Sequence, residues 1–494
     1  VLSGALVVLA LALTAGRLSA QKVPQRLTLD DAISIAKANN PAFLSTQNDA
    51  GPADWGVRQA YAAFLPTASA RGQAQYQQGG NQTFGNVVLG VSGTNFLQSY
   101  YNLGLSWTLD GQTIFGVPAA RAQRKATDAN IAAAAFDLES TVALQYMAVL
   151  RGQDGVDVAQ RQLDRASQNL AIVKARVSSG AAAGADGLKA QVDQGQARVD
   201  LIKAQRQLRE ARELLGEQLG VPLEGDVELV SQFKIFQPTW SRDTLVDMAL
   251  SSHPRLRADR AQVSAARATA KQAASRYFPS LSLSTGWAGY TQQATNKAFV
   301  LSSVEQGAAN AVLACQQDNA LLAAIPGYPG VTSRDCSQYA YTDAKGQAYL
   351  DKNNQFPFNF TKQPLSVGLS VSIPIFTGFS RQQQVSQANA AADDARQNVR
   401  AEELTLRTKV TQAYDALTAA YQVVQLEKQN QAWATEELGM KRRQYELGAV
   451  PLLDLMDAQT TATQADQSYL NAVYDFHLSL IQLDAAVGRR LERQ

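Results

Sequence analysis

Two carboxylates near the end of the chain, Asp454 and Asp457, stand three residues apart just after Pro451, so on a helix they share one face. Paired acids of this kind can do one of two things. In the first turns of a helix, with Pro451 at N1, they favour the positive end of the macrodipole. Clustered with further like charges, they would raise one another's pKa and attract cations. Spacing alone leaves both open. Cys315 and Cys336 are the only cysteines. In an oxidising compartment they are expected to pair, closing a loop worth about 3 kcal/mol in the chain-entropy model. The segment has no His, so a metal site is not expected. The only histidines are His253, which precedes Pro254 at a helix start and reads as a cap or turn residue, and His477, beside Phe476 in a helix. No Gly-rich phosphate loop, His-metal spacing or Ser-His-Asp arrangement is found, so an exported enzyme is set aside and no cofactor is expected. The 45 basic residues nearly balance the 43 acidic ones, and nothing points to nucleic acid.

The elements that would position these groups begin behind an export signal. Leu2 to Leu13 is apolar, and Arg17-Leu18-Ser19-Ala20 offers a cleavage site before Gln21. Residues 1–20 therefore read as a signal-peptide remnant with a clipped or misassigned start, and no Cys follows to carry a lipid anchor. After residue 20 no run of about 18 apolar residues is seen, so no transmembrane helix is expected. That leaves a soluble exported protein or a β-barrel, whose alternating strands escape hydropathy scans.

The chain repeats itself. Asn40-Pro41 recurs as His253-Pro254 and Phe64-Leu65-Pro66 as Tyr277-Phe278-Pro279, both 213 residues further on. Tyr146, Gly180, Asp186, Ala190-Gln191 and Gly220 recur as Tyr414, Gly448, Asp454, Ala458-Gln459 and Gly488, all 268 further on. Such constant offsets mark a duplication. The reading is a first repeat over 21–220, a linker at 221–240, a second repeat over 241–488 and a tail at 489–494. The offset grows because the second copy carries a longer insertion, 291–364 against 77–99, which holds both cysteines.

Each copy has two segments of alternating polarity: 66–76 and 101–109, then 280–290 and 367–375. Tyr101, Leu103, Leu105, Trp107 and Leu109 would share one face, with Asn102, Gly104, Ser106 and Thr108 on the other. Each segment has about 10 residues, the length of a tilted transmembrane strand. Four strands close neither a sandwich nor a barrel, and an open edge cannot face lipid, so closure demands several chains. The remainder reads as long helices with heptad seams: Leu163, Ala166, Leu170, Val173 and Val177; Leu201, Leu208 and Leu215; Tyr469, Phe476 and Leu483. Breaks at 178–184 and 447–451 make each a hairpin of antiparallel helices, with Gly180 and Gly448 at the tips as C-cap glycines.

Together these features resemble the TolC-like outer-membrane efflux proteins. The duplicated Asn40-Pro41/His253-Pro254 turn carries the resemblance, with Leu65-Pro66/Phe278-Pro279, Ile375-Phe376-Thr377-Gly378, and above all the stretch from Tyr445 to Gln459, Tyr-Glu-Leu-Gly-Ala-Val-Pro-Leu-Leu-Asp-Leu-Met-Asp-Ala-Gln. It covers residues 27 to 488. It implies a mixed α plus transmembrane β-barrel fold: a homotrimer whose chains give four strands each to a 12-stranded barrel, continued by an antiparallel coiled-coil tunnel in the periplasm. It also implies an outer-membrane exit duct that docks a periplasmic adaptor through the Gly180 and Gly448 tips, and through it an inner-membrane pump. Asp454 and Asp457 would form the narrowest ring, and Asp186 and Tyr445 would hydrogen-bond to hold the tip closed. Val450 stands where some members carry Arg, which removes a charged clasp from that position, and Lys189 matches Asp457 in the first copy. The competing reading, a secreted coiled-coil structural or adhesive protein, explains the heptads but not the four strands.

Overall fold

The computed structural model describes residues 24–84, 87–91, 93–223, 227–230, 234–324 and 333–491; the segment read as a signal lies outside them. The order of elements is β1 (Arg26–Leu27), α1 (Leu29–Asn39), α2 (Pro41–Asn48), α3 (Ala50–Ala62), β2 (Thr67–Gln77), β3 (Asn81–Phe84), β4 (Val87–Val91) and β5 (Phe96–Leu109), then the long helices α4 (Gly111–Ser178) and α5 (Gly184–Leu219). The second half runs β6 (Glu228–Leu229), α6 (Arg242–Ser252), α7 (Pro254–Ala274), β7 (Ser280–Ala294), α8 (Lys297–Ala324), α9 (Asp343–Asn353), β8 (Thr361–Lys362), β9 (Ser366–Ser372), α10 (Ser380–Glu446) and α11 (Leu452–Val487). The chain divides into a helical unit (1–58, 118–271, 382–494) and a strand unit (59–117, 272–381).

In the helical unit, α4 and α10 have 68 and 67 residues, about 100 Å each at 1.5 Å per residue. The heptad positions Ala166, Leu170, Val173, Leu201, Leu215, Phe476 and Leu483 are buried. The segment read as a linker does more than connect. Its Glu228–Leu229 pairs in parallel with Arg26–Leu27, and the buried Tyr146 hydroxyl donates to Leu27 O (2.7 Å) and Val230 O (3.0 Å). Burial pushes that phenol up to about 12.

The duplicated turn and the duplicated glycine meet in both copies. Gly220, at φ 71, closes α5, and a Cβ there would stand 2.3 Å from Asn39 O; at Gly488, φ 84, it would stand 2.7 Å from His253 Cα. Only glycine fits these positions. Asn40 accepts from Phe43 N, capping α2, and donates to Gln218 O. His253 copies both bonds: Nδ1 accepts from Arg255 N, and Nε2 reaches Ala485 O at 3.2 Å. His253 is thus a cap, as its sequence context suggests.

The strand unit is an antiparallel sheet in the order β2-β5-β7-β9, with β8 also on β7. The register puts Ala70, Leu103 and Trp287 abreast, and Trp107, Leu283 and Leu369 abreast, on one face. Gly104, Ser69 and Gly286 line the other. The central strands are longer than the alternation suggests, 14 residues for β5 and 15 for β7. They are extended by a buried knot in which the Ser99 hydroxyl meets Thr291 Oγ1 and donates to Pro357 O.

The long insertion is not plain loop. It holds α8 and α9, and a Cys315–Cys336 disulfide with Cα atoms 5.7 Å apart ties α8 to the short turn 336–339 that precedes α9. Asn353 bonds both N and O of Ala294 at the end of β7. The expectation of no membrane-length helix needs correcting here, since α8 is long and apolar enough by length and composition. Glu305, Gln306, Asn310 and the run Gln316-Gln317-Asp318-Asn319 interrupt its apolar residues, which hides it from a search for unbroken apolar runs.

His253→Ala is expected to cost about 1 kcal/mol, as for other lost caps, and His253→Asn much less. Burial holds the His253 pKa below its ordinary 6.5 despite the attraction of Glu402 and Asp137, with Lys409 acting in the same direction as burial. Its neutral form therefore stabilises the fold above that pH, and the contribution is lost as pH falls from there towards the folded value. Thermal unfolding at pH 7.5 and 5.5 should show the parent losing more stability on acidification than His253→Asn.

Candidate functional site

The two hairpin tips end in the same way. After α4, Gly180 at φ 76 lets Gly180 N reach Val177 O and Ala181 N reach Arg176 O. After α10, Gly448 at φ 78 lets Gly448 N reach Tyr445 O and Ala449 N reach Gln444 O. Both are Schellman caps, which need a residue in the left-handed region. A buried cluster of Leu170, Val173, Ala190, Tyr445, Leu452 and Leu455 packs the tips together.

Asp454 lies in the first turn of α11, where Pro451 is the N-cap, one position before the expected N1. On α11 the buried row is Leu452, Leu455, Gln459, Ala462 and Asp466. Asp454 and Asp457 leave on the opposite side, Asp454 half-exposed and Asp457 exposed. Lys441 Nζ stands 3.4 Å from Asp454 Oδ2. A pair this open contributes about 1 kcal/mol or less, yet it sets a cation beside one of the two acids. Lys189, the first-copy match of Asp457, is exposed on α5.

The Asp186–Tyr445 hydrogen bond is not made. Tyr445 is 3% exposed, and its hydroxyl has no hydrogen-bond partner. Burial raises its pKa, Asp186 adds to the rise and Arg176 opposes it. Arg176 is the group that sequence reasoning missed. Its guanidinium lies 4.8 Å over the Tyr445 ring and donates to Tyr445 O, to Glu446 O (3.2 Å) and to Ala181 O (3.3 Å). One cation on the first hairpin thus binds the carbonyl end of α10 on the second, where the helix dipole is negative. Arg176 brings that cation from the hairpin opposite Val450. Its one visible signal is a basic residue in the last turn of α4, four positions before Gly180.

Further along the same helices, the contact between hairpins is polar in layers. Asp466, 4% exposed, accepts from Arg165 on α4 (2.7 Å) and from Gln431 on α10 (2.8 Å). One heptad nearer the tip, Gln459 accepts from Asn169 and donates to Asp193 (2.8 Å). Burial raises the Asp193 pKa, and the Gln459 bond partly offsets it. Such layers bond fully in one register only, at some cost in stability relative to apolar packing.

A family model described as "Outer membrane efflux protein" matches residues 32–221 and 339–489. The outer membrane protein TolC of Vibrio cholerae is 22% identical over 459 residues, covering 93% of this chain and 90% of that one. The cobalt-zinc-cadmium resistance protein CzcC of Cupriavidus metallidurans is 21% identical over 469 residues, covering 94% and 90%. The crystal structure of the Campylobacter jejuni CmeC outer membrane channel superposes with a TM-score of 0.68 at 15% identity, covering 93% and 85%.

Asp466→Ala would leave the Arg165 guanidinium without its buried partner and is expected to cost about 3 kcal/mol. The double variant Arg165→Leu with Asp466→Leu should recover most of that loss. Chemical denaturation of the three proteins checks the pair.

Proposed function

The chain belongs to the outer membrane efflux protein family, and we propose that three copies form the outer-membrane exit duct of a tripartite efflux or secretion system. Substrate passes from periplasm to exterior without energy input from the duct, and the gate is at the hairpin tips. The observation that carries this reading is the sheet whose four long strands are β2, β5, β7 and β9. One face is apolar and the other small and polar, and among the described residues each outer strand has a single neighbour. Three such sheets joined edge to edge give 12 antiparallel strands with lipid outside and a wet lumen inside. A secreted coiled-coil protein would have no use for such a sheet.

At the tips, Asp454 and Asp457 of three copies would gather six carboxylates around the axis. Lys441 tempers three of them, which leaves the Asp457 ring as the stronger field. The ring favours cations and binds divalent ions. Arg176 is the latch that keeps the tip of the first hairpin against that of the second. Opening must break its bonds to Tyr445 O and Glu446 O and lift its guanidinium off the ring. The tips also carry exposed Leu447 and Leu453 beside Gly448, an apolar foothold for the hairpin of a periplasmic adaptor. The adaptor links the duct to an inner-membrane pump, which supplies the energy.

In planar bilayers the parent should show low, cation-preferring conductance. Asp454→Ala with Asp457→Ala should raise it severalfold and weaken block by divalent cations. Arg176→Ala should raise it while leaving divalent block in place. Unchanged conductance in both would remove the gate from the tips.

A further inference from the structure

Between β9 and α10 the chain makes a turn whose apolar side chains the strand unit leaves uncovered. Arg381, itself buried, fixes the turn. Its Nε donates to Thr377 Oγ1 at 3.0 Å and its Nη2 to Pro374 O at 2.9 Å, and its guanidinium lies 4.9 Å over the Tyr277 ring. Gly378 and Phe379 both lie in the left-handed region, at φ 60 and 62. Phe379 is the one non-glycine there among the described residues. A bulky side chain in that conformation is strained, whereas glycine would sit without cost. The ring must therefore contribute something outside the turn. Phe376 and Phe379 meet edge to face at 5.5 Å, yet they are 71% and 68% exposed.

Lipid accounts for only part of this surface. Val367, Leu369 and Val371 alternate along the apolar face of β9, which ends at Ser372, and beyond it Ile373 and Ile375, 64% and 93% exposed, keep the same parity. Phe376, past the end of the strand, has instead the parity of Gly368, Ser370 and Ser372. The strand order says what stands beside it. Neighbouring strands run antiparallel across β2, β5, β7 and β9. The edge strand β9 of one copy therefore meets β2 of the next antiparallel. The pairs Thr67↔Ser106, Thr108↔Ser282 and Ser280↔Ser372 put the start of β2 and the end of β9 on the same rim of the sheet. Just before β2 stand the exposed Phe64 and Leu65, held because Trp107 Nε1 donates to Phe64 O at 3.0 Å.

We propose that the Phe376–Phe379 pair of one copy packs on Phe64 and Leu65 of the next, an apolar clasp at the rim of each seam between copies, with Arg381 as its positioning residue. The clasp rests on the trimeric duct reading. It covers aromatic surface that would otherwise face water, and it ties each seam where its strands end.

The test uses the full chain purified in detergent. Both native cysteines are in the disulfide, so introduced ones are the only free thiols. Phe376→Cys combined with Leu65→Cys, oxidised and run unfolded without reductant, should give covalent dimers and trimers, and neither single variant should. Phe379→Gly relieves the backbone strain but removes the ring, so it should lower the temperature at which the trimer dissociates in SDS. Three results would overturn the clasp: a trimer whose paired cysteines do not cross-link, a rise in dissociation temperature for Phe379→Gly, or free reaction of the thiol in the single variant Phe376→Cys with a lipid-soluble maleimide in the assembled trimer. A chain that forms no trimer at all would remove the duct reading and the clasp with it.

Discussion

A strand edge in hydrocarbon presents a row of N–H and C=O groups, each costing several kcal/mol without a partner. In this chain the rows belong to β2 and β9, the outer strands of the β2-β5-β7-β9 sheet, with the short β8 beside β9 on the same edge of β7. Water could solvate those edges if the sheet were soluble, but the face carrying Leu103, Leu105, Trp287, Leu369 and Val371 is apolar and open. The two facts together leave edge-to-edge closure with further copies as the arrangement that satisfies both. All neighbours are antiparallel and four is even, so each added copy joins with the same antiparallel pairing.

The helical unit answers a different demand. The proposed gate needs contacts that are specific without being too strong. The layers Arg165–Asp466–Gln431 and Asn169–Gln459–Asp193 suit that demand. A slip by one heptad would leave the buried Asp466 or the half-buried Asp193 without its donor, which an apolar seam would not penalise. Arg176 differs in kind: it binds carbonyl groups at a helix end, close to solvent, where water can replace each bond. In the proposed gate, the layers fix register and the arginine sets how readily the tip leaves it.

Much of this was legible in the sequence because strong physical demands leave periodic marks. A sheet with lipid on one side and water on the other must alternate, which exposed all four strands. Duplication exposed the Asn40/His253 turns and the Gly220/Gly488 caps, and the close approach at each glycine explains why both pairs recur. The strand ends were less legible. Phe96-Leu97-Gln98-Ser99 does not alternate, and β5 extends there because Ser99 is buried against Thr291 and Pro357 O. Arg176 was hidden for two reasons: its match in the second copy is Gln444, and its acceptors are backbone carbonyls, which leave no side-chain signature. The Asp186–Tyr445 bond failed as an expectation: the phenol is buried beneath that same arginine, and its hydroxyl makes no hydrogen bond.

The closure argument is tested most directly by counting chains in the detergent-solubilised particle, by light scattering corrected for bound detergent. Three chains per particle, unchanged on dilution, is the predicted result. A stable particle of one chain would contradict the account, because the edges of β2 and β9 would then have no strand to pair with.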